Sequence, residues 1–212
     1  MQDRLAQQIA FLLEAEKLKS VTRATPIHDG SRPENSAEHS WTLALYALVL
    51  ADQAAPGVDA LRAVKMLLIH DLVEIDVGDV PIHSGNGAAH GSVEIQAAEA
   101  AAAKRLFGLL PKDLSEDLQI LWEEFEAAET PTAIYAKSLD RVQPVLLNQL
   151  SGGGSWLEYA VTWPQLEERV GQKIARGLPD VWTWVKAKIR PWFTAQEARA
   201  ARIDPNRAGD GK

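Results

Sequence analysis

A chain of 212 residues is long enough for one large domain or two small ones. Lys and Arg number 22 against 29 Asp and Glu, and the resulting net charge of −7 argues against a protein that coats nucleic acid. The chain has no Cys, which excludes disulfides, thiolate metal sites and Cys nucleophiles and leaves the cytoplasm as the default compartment. Hydrophobic residues at 46% and charged residues at 24% describe an ordinary soluble globular domain. No apolar run reaches the roughly 18 residues of a membrane span. The opening Met1-Gln2-Asp3-Arg4-Leu5 lacks the apolar core of a signal peptide.

Helical periodicity runs from end to end. Leu5, Ile9, Leu12, Leu13 and Leu18 form one apolar face over residues 4–18. Residues 19–35, with Pro26, Gly30 and Pro33, read as a long loop of the kind that serves a site. Ser36 can cap a second helix through Trp41, Leu45, Leu48 and Val49. Asp59 can cap a third, whose stripe is Leu61, Val64, Leu67, Leu68, Leu72 and Ile75. Residues 77–92 are broken by glycines, and an Ala-rich helix from Glu94 to Phe107 follows. Leu114–Glu129 is next in helical register. Thr130-Pro131 then restarts a helix through Leu139 and Val145 to Leu150. Ser151–Ser155 reads as a loop inside one domain. Helices at 164–176 and 179–199 follow, the latter interrupted at Pro191, with a frayed tail from 203 to 212. Alternating strand patterns are absent, so the predicted fold is all-α, a single domain over 1–202 with a core at about 5–150 and a helical extension at 156–202.

Five His occur, at positions 28, 39, 70, 83 and 90. Ile69-His70-Asp71-Leu72-Val73-Glu74 closes a largely apolar helix with an imidazole and two carboxylates, a costly placement unless something pairs with them. A lone His-Asp pair is usually a solvated helix end. Here, however, Glu38-His39-Ser40-Trp41 and Ala136-Lys137-Ser138-Leu139-Asp140 add a second His and a second Asp on apolar helices. Together His39, His70, Asp71 and Asp140 offer two nitrogens and two carboxylates. That set balances a divalent ion and suits Mn, Fe, Co, Ni or Zn alike.

His39, then His70-Asp71, then Asp140 resembles the H…HD…D signature of the HD-domain phosphohydrolases. Glu34-Asn35-Ser36-Ala37-Glu38-His39-Ser40 and His70–Glu74 with Gly78-Asp79-Val80-Pro81 are similar to the bacterial 5′-deoxynucleotidase branch, over residues 5–150. The resemblance implies one catalytic divalent metal on His39, His70, Asp71 and Asp140. Glu74 would be the acid-base residue, Arg23 the phosphate holder and Asp79 the reader of the sugar. The substrate implied is a nucleoside 5′-monophosphate. The chain departs from the family at Ala24, where members often carry Trp, so a modest deoxyribose preference is expected. HD sites also serve phosphodiesterases and guanosine polyphosphate hydrolases, and a non-catalytic nucleotide-binding scaffold is the reading from another class. His83 or His90 as ligands to a second metal would favour the diesterase, although loop His are more often exposed. His28 has no partner in sequence. Lys137, three residues before Asp140, can touch substrate or pair with an acid. Trp156, Trp163, Trp182, Trp184 and Trp192 read as core or as a subunit contact, and a homodimer fits the family.

Overall fold

Capping residues set most of the element boundaries. The computed structural model of the chain describes residues 2–87 and 91–203. Asn35 caps α2 (Ser36–Val49): its side chain accepts from Glu38 N while Glu38 accepts from Asn35 N, a reciprocal capping box. The predicted cap therefore moves back one residue, and Ser36 becomes the first helical position. Asp59 caps α3 (Ala60–Ile69), Ser92 caps α5 (Val93–Phe107), and Thr130 with Pro131 opens α7 (Pro131–Leu150), as the sequence leads one to expect. Between them lie α4 (Glu74–Val77) and α6 (Lys112–Ala127). The chain starts with α1 (Gln2–Ala15) and continues after α7 through α8 (Gly154–Glu158), α9 (Trp163–Leu166), a π-turn at Glu167–Gly171 and α10 (Gln172–Gly177). It ends in α11 (Pro179–Ile203).

The architecture is all-α. Strands among the described residues are confined to one antiparallel ribbon, β1 (Thr22–Pro26) with β2 (Pro33–Asn35), inside the segment read as a loop. Two further expectations are corrected. The third helix does not run on to Ile75: α3 stops at Ile69, a 3-10 turn covers His70–Val73, and α4 starts at Glu74. Pro191 does not interrupt α11, because Ile189 and Phe193 on either side of it are both buried and hold the helix in place. Residues 88–90, which include His90, and the tail 204–212 lie outside the described residues.

Buried side chains form two clusters. The larger surrounds α7 with residues from α2, α3 and α6, and takes in Trp156, Trp163, Leu166, Ile174, Trp182 and Phe193 from the C-terminal segment. The smaller joins Phe11, Leu72, Val73, Leu106, Phe107 and Trp122. Ile69 packs against both, so the 3-10 turn that follows it lies at their seam. The stripes predicted on the first two helices face outward instead. Leu5, Ile9, Leu12 and Leu13 on α1, and Trp41, Leu45, Leu48 and Val49 on α2, are 44–67% exposed. No described helix is long and apolar enough to cross a membrane.

Candidate metal centre

Three helical elements and the ribbon bring the candidate residues to one cavity of about 380 Å³, a volume typical of small-ligand sites. The capping box at Asn35 fixes the start of α2 and places His39 one turn inside it, fully buried. The 3-10 turn redirects the chain after Ile69, so that His70, Asp71 and Glu74 all line the cavity. Trp122 Nε1 donates to the His70 carbonyl at 3.3 Å, and the Phe125 ring meets the imidazole edge-on at 5.0 Å. Asp140 enters from α7.

Three of the four predicted ligands form one donor group, and the fourth, Asp140, stands against its two imidazoles. One donor atom each of His39, His70 and Asp71 lies within 4.8 Å of the others, a group that could hold a metal ion. Asp140 Oδ1 lies 3.0 Å from His39 Nε2 and 3.8 Å from His70 Nε2. Asp71 Oδ1 lies 2.9 Å from His70 Nε2, and its Oδ2 lies 4.0 Å from His39 Nε2. Donor atoms that share an ion at about 2.0–2.2 Å must sit this close to one another.

The tautomers fit an ion as well. Glu34 Oε1 accepts from Gln143 Nε2 at 2.6 Å, which turns Gln143 Oε1 toward His39 Nδ1 at 3.0 Å. His39 Nδ1 is therefore the donor, and Nε2 presents its lone pair to the site. His70 Nδ1 donates to the Leu67 carbonyl at 2.9 Å, which leaves its buried Nε2 facing Asp71 Oδ1 at 2.9 Å without a well-aligned hydrogen bond. A buried imidazole nitrogen set against two carboxylates is what a cation would satisfy. Without one, burial disfavours the imidazolium, but Asp71 and Asp140 outweigh it and raise His70 to about 10. Burial also opposes the Asp140 carboxylate, but Arg141 and the two imidazoles hold it well below the usual range.

Glu74 and Arg23 adjoin this group. Arg23 Nη1 donates to Asp71 Oδ2 at 2.8 Å and lies 3.5 Å from both Glu74 Oε1 and Asp79 Oδ1. Its Nε is buried without a hydrogen-bond partner. Ser36 Oγ donates to Glu74 Oε2. Burial, then the neighbouring Asp71 carboxylate, pushes the Glu74 carboxyl well above its usual range against the pull of Arg23. Gly78 ends α4 with φ +76°, a turn that favours glycine, and Asp79 follows it into the cavity to accept from Ala24 N at 3.2 Å. Burial raises the Asp79 carboxyl too.

Other candidates resolve differently. Lys137 pairs with Glu126 at 2.8 Å over the Phe125 ring. His83 reaches the cavity, where burial and then Arg169 and Arg141 lower it to about 4, and two guanidinium groups disfavour a second cation there. His28 lies in the connection between β1 and β2. Trp156, Trp163 and Trp182 are core, whereas Trp184 is exposed. Sequence reasoning gave Gln143 and Glu34 no role, and Ser36 only that of a helix cap, with no part in the site. Gln143 had a signal, since it stands three residues after Asp140 and so on the same face of α7.

The HD-domain family profile matches residues 15–182. Human 5′-deoxynucleotidase HDDC2 is 31% identical over 139 residues, 65% of each chain, so the present chain spans just under two thirds of that relative. The 5′-deoxynucleotidase yfbR of Photorhabdus temperata is 28% identical over 77% of this chain and 84% of its own. A crystal structure from Magnetospirillum magnetotacticum MS-1, described as a predicted metal-dependent phosphohydrolase, is 40% identical. It superposes with a TM-score of 0.82 over 90% of this chain and 95% of that one. The chain belongs to the HD-domain family.

Proposed function

We propose that this protein is a metal-dependent phosphomonoester hydrolase acting on nucleoside 5′-monophosphates, with one divalent ion held by His39, His70, Asp71 and Asp140. The observation that carries the reading is the gathering of the buried His39 and His70 Nε2 atoms against the Asp71 and Asp140 carboxylates, beside an acid and an Arg. The named activities of the HDDC2 and yfbR relatives support the substrate class. What the ion supplies is Lewis acidity, which makes water a usable nucleophile at neutral pH and offsets phosphoryl charge. Glu74 holds or passes the proton at Oε1, while Ser36 fixes its Oε2. Arg23 offers the phosphate its guanidinium, which stands beside Asp71 and Glu74. Asp79 accepts from the sugar, and the small Ala24 leaves the sugar side open. We propose a cytoplasmic location, which suits a nucleotide substrate. We read residues 1–202 as one domain, because the C-terminal tryptophans share the core built on α7.

Arg23→Lys is expected to lower kcat/KM for a nucleoside 5′-monophosphate by about tenfold or more despite the same charge, since the planar fork is lost. The same steady-state assay on one base, as ribose and deoxyribose 5′-monophosphates, should show a modest deoxy preference that Asp79→Ala narrows. A clear ribose preference would reject the deoxynucleotidase assignment and leave the phosphohydrolase intact.

The partner copy of a homodimer has a surface to cover, though not the tryptophan cluster the sequence suggests. The outward stripes on α1 and α2 leave eight large apolar side chains 44–67% exposed, the kind of surface a partner copy covers. Trp41→Glu should shift the chain from dimer to monomer in sedimentation analysis, and an unchanged mass would dismiss the α2 stripe as the interface.

A further inference from the structure

Where α7 packs on α10 the cavity has a second wall, whose Lys173 and Arg176 take no part in the four-ligand group. Ser138 Oγ on α7 lies 3.0 Å from the Lys173 carbonyl of α10. Gly177 permits this close packing, since a Cβ there would fall 2.6 Å from Ser138 Oγ and 2.9 Å from the Ile134 carbonyl. The two helices thereby set Lys173 and Arg176, three apart, beside Lys137 and Arg141, four apart, and all four line the cavity. Lys137 is matched by Glu126, and Arg141 lies 3.7 Å from Asp140 Oδ2. Among the described residues, no carboxylate stands within ion-pair distance of Lys173 or Arg176. Burial, then Arg141 and Lys137, lowers the Lys173 ammonium, as expected where like charges crowd. In a chain of net charge −7, cations gathered this way on one wall of a cavity disfavour the empty site and favour an anion in it.

We propose that Lys173 and Arg176, with Arg141, bind a second phosphoryl group of the substrate, so that nucleotides carrying two phosphates are held more tightly than monophosphates. This rests on the nucleotide phosphohydrolase reading: one phosphate sits at the four-ligand group beside Arg23, the other on the α7–α10 wall. The second phosphate can extend the 5′ chain or sit on the sugar.

The test is calorimetric titration of the Mn²⁺-loaded Glu74→Gln protein, chosen to slow turnover, with adenosine 5′-monophosphate, 5′-diphosphate and 3′,5′-bisphosphate. At least one doubly phosphorylated compound should bind about tenfold more tightly than the monophosphate, the weight of one charge-assisted contact, and which one does so identifies the source. Adding Lys173→Gln, at an exposed position that tolerates change, should bring that ratio toward one, whereas Lys173→Arg should keep most of it. Equal affinities in the parent, a ratio untouched by Lys173→Gln, or no binding of any of the three would overturn the proposal. Phosphate release by the wild-type protein from the same compounds separates the two readings. Release from the monophosphate with a ratio of one would sink only the second wall. A held ratio with no release from any nucleotide would sink only the hydrolase.

Discussion

Glu74→Gln is expected to lower turnover roughly 10²–10⁴-fold while bound metal stays near one ion per chain, the effect of removing a general acid-base group. The substitution keeps the side chain's size and leaves an amide oxygen able to accept from Ser36 Oγ, so the contact made by the Glu74 carboxylate can persist. What disappears is the capacity to hold and release a proton 3.5 Å from the Arg23 guanidinium. Burial and Asp71 already favour the proton on this carboxyl, which suits a group that must give one as well as take one. Turnover equal to wild type would show that Glu74 only fills space. Loss of the metal would show instead that it is a ligand.

Removing the ion should be felt in stability as well as activity. Asp71 and Asp140 are both buried, with Glu34 and Glu74 close by, and two largely buried guanidinium groups, Arg23 and Arg141, only partly offset these four carboxylates. A ligand that binds only the folded chain at 1,000 times its Kd adds about 4 kcal/mol. For a domain of this length that corresponds to a fall in Tm of roughly 10 °C on chelation. Asp140→Asn removes one anionic ligand and leaves His39 Nε2 facing an amide, so it should abolish tight metal binding and make Tm insensitive to chelator. A chelator effect of the same size in Asp140→Asn would place the ion elsewhere.

The legible parts of this chain were those where one residue type has one physical job. Asp59 and Thr130-Pro131 mark helix starts because a short acceptor must satisfy free N–H groups, and the structure uses both. His39, His70, Asp71 and Asp140 stood out because such groups on apolar helices need a common partner. The direction in which an apolar stripe faces was not legible: Leu5, Ile9, Leu12 and Leu13 have the spacing of a core face yet point away from their own core. The ribbon of β1 and β2 is too short for alternation to register, although it carries Arg23 and Glu34 into the site. The break after Ile69 was hidden because His70–Val73 keeps helical composition, and only the packing of Ile69 between two clusters shows why the chain turns there. Gln143 and Glu34 act by orienting His39 and not as donors to an ion themselves, so nothing in their own residue types announced them.

The central claim is that one ion on these four residues supports hydrolysis of nucleoside monophosphates. It is tested most directly by stripping the protein with chelator, returning Mn²⁺, Co²⁺ or Zn²⁺, and following phosphate release together with metal content. The account predicts no release from stripped protein, recovery as content approaches one ion per chain, and recovery of neither in Asp140→Asn. Full-rate release without metal, or metal-loaded protein that releases phosphate from no nucleotide, would contradict it.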